Sequence, residues 1–300
     1  MSIQKIINKK LFYPEFTLST LLSWKRIDFL SKFHPRINSR LKKPIFVVGC
    51  PRSGTTLLGE ILMSHPKLKG IDESLFLMLL WRIFSDLHQG ANEKGWAPLR
   101  GFISNNEMLD SIGKFSDDIF YGVSCNGTRT VVDHTPWYVA LIPFLNILYP
   151  DSIFIHIIRN PIDVVNSLTA SFLNGYKWAG EDIETRTIIW KELVSAGKKA
   201  GKSLPNNRYM EIKFENLCQD PEKCIKTVLD FLSLKWEDSC LIPLTKEHAG
   251  PARKNVLIGS LGKNKKFYPN KTSENQREFL NNDNISLILD IITKRSVVEP

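Results

Sequence analysis

Cysteine is scarce in this chain: its 300 residues hold five, Cys50, Cys125, Cys218, Cys224 and Cys240, and no two form a CxxC pair. An odd number leaves one thiol over in any disulfide scheme, and unpaired spacing gives no zinc-finger signature. A secreted disulfide framework and a zinc site are both disfavoured, no metal is expected, and a reducing, cytoplasmic setting is the simpler expectation. Long hydrophobic runs are lacking too. No stretch approaches the roughly 20 apolar residues of a membrane span. The N-terminus carries Pro14 and Glu15 where a signal peptide needs a clean apolar run. There are no internal repeats and no low-complexity tracts.

What is present describes a globular chain with material for one large α/β core: 43% of residues are hydrophobic and 24% charged. Lys and Arg number 40 against 31 Asp and Glu, a formal charge of +9. That excess suits a polyanionic ligand, nucleic acid or an anionic membrane surface equally, so charge alone does not choose. Residues 16–33 set Phe16, Leu18, Leu21, Leu22, Ile27, Leu30 and Phe33 at roughly helical spacing, with Lys25, Arg26 and Lys32 between them. A helical extension over residues 1–42 follows, its apolar side packed on the main domain; a peripheral membrane contact by residues 16–33 is the alternative.

Short apolar runs predict buried strands at 44–49, 130–133, 152–158 and 209–214, and helical patterns follow at about 136–148 and 161–173. This alternation predicts an open parallel α/β sheet of the P-loop type, flanked by helices, in a single domain over 43–300. Residues 75–128 read as a helical insertion that shapes an acceptor pocket. The segment 245–272 is basic and rich in Gly, Pro and Asn, with a final helix expected at about 274–282.

The most informative segment is Gly49-Cys50-Pro51-Arg52-Ser53-Gly54-Thr55-Thr56. It keeps the glycine spacing of a Walker A loop but has Thr55 where a nucleotide triphosphatase needs lysine. Backbone amides at a strand-to-helix turn hold anions, the helix dipole favours negative charge there, and Arg52 adds a fixed cation. Without the lysine that reaches the outer phosphates, ATP or GTP hydrolysis is disfavoured. A second strand, 152–158, runs into Arg159, after which Asn160 as N-cap, Pro161 at the first helical position and Asp163 in the first turn start a helix. Arg159 therefore sits at the carboxyl edge of the sheet, where open α/β folds bind ligands, and Ser167 lies two turns further on.

Together these motifs resemble the sulfotransferases that use 3′-phosphoadenosine 5′-phosphosulfate (PAPS). In that family a Pro-[Arg/Lys]-Ser-Gly-Thr-Thr loop binds the 5′-phosphosulfate, and an arginine followed eight residues later by a serine binds the 3′-phosphate. Here the loop is Pro51-Arg52-Ser53-Gly54-Thr55-Thr56 and the pair is Arg159 and Ser167. The likeness runs from about Lys43 to Lys266 and is greatest to the bacterial and tyrosylprotein-type branches. It implies PAPS as donor, the desulfated nucleotide PAP as product, and a hydroxyl-bearing acceptor: carbohydrate, lipid, small molecule or peptide. It implies no nucleic-acid partner.

The resemblance also assigns roles. The tyrosylprotein-type base is a glutamate twenty-one residues beyond the loop arginine, which is Glu73 here. Many relatives have a lysine before Thr-Pro where this chain has His134. That histidine either carries a proton and does the lysine's work or stays neutral and competes with Glu73 as base. Ser260 and Lys263 match a late Ser-x-x-Gly-basic segment that closes over the nucleotide. An arginine two residues after the base is Leu75 here, a common tyrosine is Phe214, and the late segment's usual tryptophan is Asn264. Two other readings use some of the same residues: a P-loop kinase of a small metabolite, with Asp133 placed to hold magnesium, and a non-enzymatic nucleotide- or polyanion-binding module.

Overall fold

The structure is a computed structural model that describes residues 30, 33–93, 102–245, 248–250, 253–256, 259–261, 267–269 and 278–294. Strand β1, Ile45–Gly49, is apolar throughout and buried at all five positions. A strand that buries both faces belongs in the middle of a sheet covered on both sides. It lies there, in a five-stranded sheet of order β2-β3-β1-β4-β5, with β2 Leu68–Ile71, β3 Thr130–Asp133, β4 Ile153–Ile158 and β5 Tyr209–Lys213. Every pairing is parallel.

Alternation along β1 divides the core between the two faces. Phe46 and Val48 join Tyr138, Phe144 and Phe154 on one side, while Ile45 and Val47 join Leu58, Ile61, Ile155 and Ile157 on the other. The helices that cover these faces are α1 Thr55–Met63, α2 Phe76–Glu93, α3 Asn105–Val123, α4 Ile142–Leu148, α5 Pro161–Leu173, α6 Ile183–Lys202, α7 Phe214–Gln219, α8 Pro221–Phe231 and α9 Asn282–Thr293. No described helix is long and apolar enough to cross a membrane. All five cysteines are free thiols.

The predicted strands fall within a residue of the observed ones, and the sequence patterns passed over β2. Its four residues, Leu-Lys-Gly-Ile, bury only Leu68 fully, because an edge strand needs no continuous apolar run. The expected helix at 136–148 is divided: Pro136–Leu141 is a 3-10 turn and α4 starts after it with Pro143 in its first turn. Proline has no amide to donate and its ring clashes with the carbonyl four residues back, so one continuous α-helix is not available. The final helix lies later than expected. Residues 271–277 are outside the described residues, and α9 begins after Asn281, which caps it in a reciprocal capping box with Asn284. Its stripe of Ile285, Ile288 and Ile292 packs on Ile162 and Val165 of α5.

The insertion at 75–128 contains α2 and α3, which add to the core. Trp81 and Phe84 meet Phe144 at centroid separations of 5.1 and 5.6 Å, and Phe33 meets Phe84 at 5.1 Å. Leu30 and Phe33, the two described members of the 16–33 pattern, are buried in this core; the rest of that pattern lies outside the described residues. A buried ion pair between Arg36 and Asp117, 2.6 Å apart, ties the chain before β1 to α3.

Candidate active site

Each strand of the sheet is followed at its carboxyl end by side chains of the candidate site. After β1 the chain turns through Pro51–Thr56 into α1, whose N-cap is Gly54 with φ 98° and no capping side chain. The first-turn amides of α1 are thus left for an anion, in the dipole field that favours one. Gly54 is required twice: its φ is left-handed, and a Cβ there would come within 2.4 Å of the Phe214 ring. Arg52 is also left-handed, φ 71°, a strained conformation for a non-glycine residue that typically marks a functional loop. Ser53 is fully buried, and its hydroxyl finds no hydrogen-bond partner among the described residues.

The two anion motifs meet. Arg52 Nε donates to Ser167 Oγ at 3.1 Å, and Arg159 Nη1 donates to the Arg52 carbonyl at 3.2 Å. The Arg159 guanidinium lies over the Phe214 ring, 4.6 Å from its centroid, a cation–π contact that orients it. Trp190 Nε1 donates to the Arg159 carbonyl at 3.1 Å, and Glu215 Oε1 accepts from Asn160 N at 2.8 Å. Asn160 caps α5 through Ile162 N, with Pro161 at the first position and Asp163 in the first turn. Residues that follow β1, β4 and β5 therefore form one cluster that contains two arginines.

Glu73 follows β2. Glu73 is exposed overall, yet desolvation of its carboxyl pushes the pKa above the ordinary carboxylate value; the nearby His134 imidazole, Arg52 and a hydrogen bond with Thr56 pull the other way, and Asp133 adds a smaller upward push. His134, after β3, is 1% exposed. Its ring lies against Gly59 of α1, where a Cβ would come within 2.4 Å of Cδ2. Neither ring nitrogen has a hydrogen-bond partner among the described residues; Nε2 stands 3.6 Å from the exposed carboxylate of Asp72. Glu73, Thr56, Arg52 and His134 thus share one neighbourhood.

Asp133, which a magnesium-dependent kinase would use, is fully buried and already engaged. Its Oδ1 accepts from Thr135 N at 3.0 Å and Thr135 Oγ1 at 2.7 Å, and its Oδ2 accepts from Ser74 Oγ at 2.7 Å. No side of it is presented to a hydrated cation. Among the described residues no group of acids, histidines and cysteines could hold a metal. Ser260 lies in β8 Gly259–Leu261, paired antiparallel with β9 Phe267–Pro269 opposite Tyr268, after a separate hairpin of β6 His248–Gly250 and β7 Arg253–Val256. Lys263 is outside the described residues. Sequence reasoning did not anticipate Ser74, Thr135 and Tyr138 at this edge; the signal available was a Ser or Thr one or two residues past Glu73 and Asp133.

A parallel α/β sheet whose first loop keeps the Walker A glycine spacing without its lysine, with arginines following two of its strands, is a P-loop-type architecture. Residues 44–238 match the sulfotransferase family, and the chain belongs to it. It is 28% identical to an uncharacterized protein of Aquifex aeolicus over 70% of this chain and 29% of that one. Protein-tyrosine sulfotransferase A of Caenorhabditis elegans is 23% identical, over 66% of this chain and 51% of its own length. Nodulation protein NoeE of Sinorhizobium fredii is 23% identical, over 85% and 64%. The chain thus spans less than two thirds of each of these relatives. The sulfotransferase domain of the Synechococcus PCC 7002 olefin synthase has the same fold, with a TM-score of 0.52 at 19% identity over 88% of this chain and 99% of that domain.

Proposed function

We propose that this chain transfers a sulfuryl group from PAPS to an acceptor hydroxyl. The observation that carries the reading is the junction of Arg52, Ser167 and Arg159, which joins a 5′-anion cradle to a second cationic site. The residues fit such a donor: an uncapped helix start, the buried hydroxyl of Ser53 and a guanidinium held over the Phe214 ring. PAPS supplies an activated sulfuryl group on a phosphate leaving group. In this reading the amides of the loop, with Pro51 shaping it and Ser53, Thr55 and Thr56 lining it, hold the 5′-phosphosulfate. Arg159 and Ser167 hold the 3′-phosphate, and Ser260 and Lys263 close over the nucleotide.

Glu73 takes the proton of the acceptor hydroxyl as its oxygen bonds to sulfur, and a raised pKa brings a carboxylate closer to that work. Arg52 stabilises the negative charge that develops on the departing phosphate oxygen, and His134, if protonated, adds to it. The acceptor is a hydroxyl of a peptide, carbohydrate, lipid or small molecule. The names of its relatives include protein tyrosine as one acceptor class, and Leu75 in place of the arginine of that branch favours an acceptor smaller than an acidic peptide. The test incubates the chain with sulfur-labelled PAPS and a panel of a tyrosine peptide, an oligosaccharide and a lipid alcohol, beside the same panel with ATP and magnesium. Label on one acceptor with one PAP formed per transfer is the expected result; phosphate transfer from ATP with no PAP formed from PAPS would refute it.

A further inference from the structure

The segment that bears Glu73 is gripped from below by a buried hydrogen-bond network that the chemistry itself does not use. Ser74 Oγ donates its single proton to Asp133 Oδ2 at 2.7 Å. The contact between Ser74 Oγ and the Tyr138 hydroxyl, 2.9 Å, must therefore have tyrosine as donor, and the Tyr138 oxygen accepts from Leu77 N at 3.1 Å. On the other side Ser74 N donates to Thr135 Oγ1 at 3.1 Å, and that hydroxyl donates to Asp133 Oδ1 at 2.7 Å. Both chains of donors end on one carboxylate. Ser74 is held by backbone and side chain at once, next to Glu73, and Leu75 beyond it is kept in the left-handed region at φ 55°.

Asp133, Thr135 and Tyr138 are all fully buried. Burying a carboxylate is costly even when every oxygen is paired, and an apolar residue of similar size would be cheaper if stability were the only demand. Each side-chain donor to Asp133 comes from the Glu73 segment or from the turn that follows His134. We infer that Ser74, Thr135 and Tyr138, anchored on Asp133, are positioning residues that fix the Glu73 carboxyl against the loop and set His134 at the strand end. The inference rests on the reading of Glu73 as base. Displacing a reacting group by about 1 Å costs on the order of 10²-fold in rate, so a loosened Ser74 should show in turnover rather than in donor binding.

The test compares Ser74→Ala, Ser74→Thr, Tyr138→Phe and Glu73→Gln in the full chain. Three quantities are read: hydrogen exchange in a peptide covering 72–78, PAP affinity by calorimetry, and PAP release from PAPS with water as the only acceptor. Ser74→Ala should speed exchange at 72–78 and lower turnover about tenfold to 100-fold, with PAP affinity within about twofold, and Ser74→Thr should restore both. Tyr138→Phe keeps the packed ring and removes one donor, so it carries the test if Ser74→Ala fails to fold. Wild-type exchange and turnover in these variants, beside an inactive Glu73→Gln, overturns the positioning role alone. A parallel loss of PAP affinity, or no restoration by threonine, also overturns it. Wild-type turnover in Glu73→Gln overturns the base assignment and this inference with it.

Discussion

Glu73→Gln is expected to lower kcat by about 10²-fold or more, the range for loss of a general base, and to leave PAP affinity nearly unchanged. Glutamine keeps the shape and loses the ability to take a proton. Two further consequences separate this from simple damage to the site. First, the base works only when ionised, and its folded pKa lies above the ordinary carboxylate value because burial opposes the charge. The acid limb of kcat against pH should sit correspondingly high and vanish from the residual activity of the variant. An acceptor phenol acidic enough to be ionised already should be far less sensitive to the substitution. Second, a carboxyl whose folded pKa is raised contributes stability that is present below its unfolded pKa and lost as pH rises through the folded one. Glu73→Gln should thus melt no lower than the wild type at pH 8, with any advantage disappearing in acid. A drop in Tm at pH 8 together with the rate loss would point to a structural role.

Arg159→Ala should weaken PAP by about 1.5–3 kcal/mol, the cost of a charge-assisted contact, or about tenfold to 150-fold in Kd. The control is a ligand without the 3′-phosphate. Adenosine 5′-phosphosulfate should bind the wild type and the variant alike, because the contact removed is absent from that complex; the two truncations then form a double-mutant cycle. Arg159→Lys should fall between the wild type and Arg159→Ala, since an ammonium keeps the charge but not the planar fork that lies over Phe214. Equal losses for both ligands would mean that Arg159 serves the loop, through its bond to the Arg52 carbonyl, and not the 3′-phosphate.

The parts of the site visible in the sequence are those whose chemistry is local. An anion cradle is a run of eight residues with glycines at fixed offsets, and the α5 start is a strand, an arginine, a cap and a proline; both are read without knowing what they touch. Glu73 is legible only through the family resemblance, which places a base twenty-one residues beyond the loop arginine; what carries it there is β2, an edge strand too short and too polar to be recognised, which ends two residues before it. The network around Asp133 was not legible, because Ser74 and Tyr138 are joined by contacts across about sixty residues. The sequence offered Asp133 as a magnesium ligand, and only its burial beneath Thr135 and Ser74 commits it elsewhere. His134 stands out in the sequence as a departure from lysine; that its ring fits because residue 59 is glycine is a property of the packed helix and sheet.

In the proposed reading this loop takes a 3′,5′-substituted adenosine nucleotide and not a triphosphate. Thermal unfolding with PAP, ATP and ADP at equal concentration decides between them, since a ligand that binds only the folded chain stabilises it by mass action. At a hundredfold excess over Kd the gain is about 2.7 kcal/mol, several degrees in Tm for a chain of this size. PAP is expected to raise Tm by that amount, with ADP and ATP well behind, and Arg159→Ala should abolish most of the difference. Equal shifts with all three nucleotides, or a larger shift with ATP and magnesium than with PAP, would contradict the assignment.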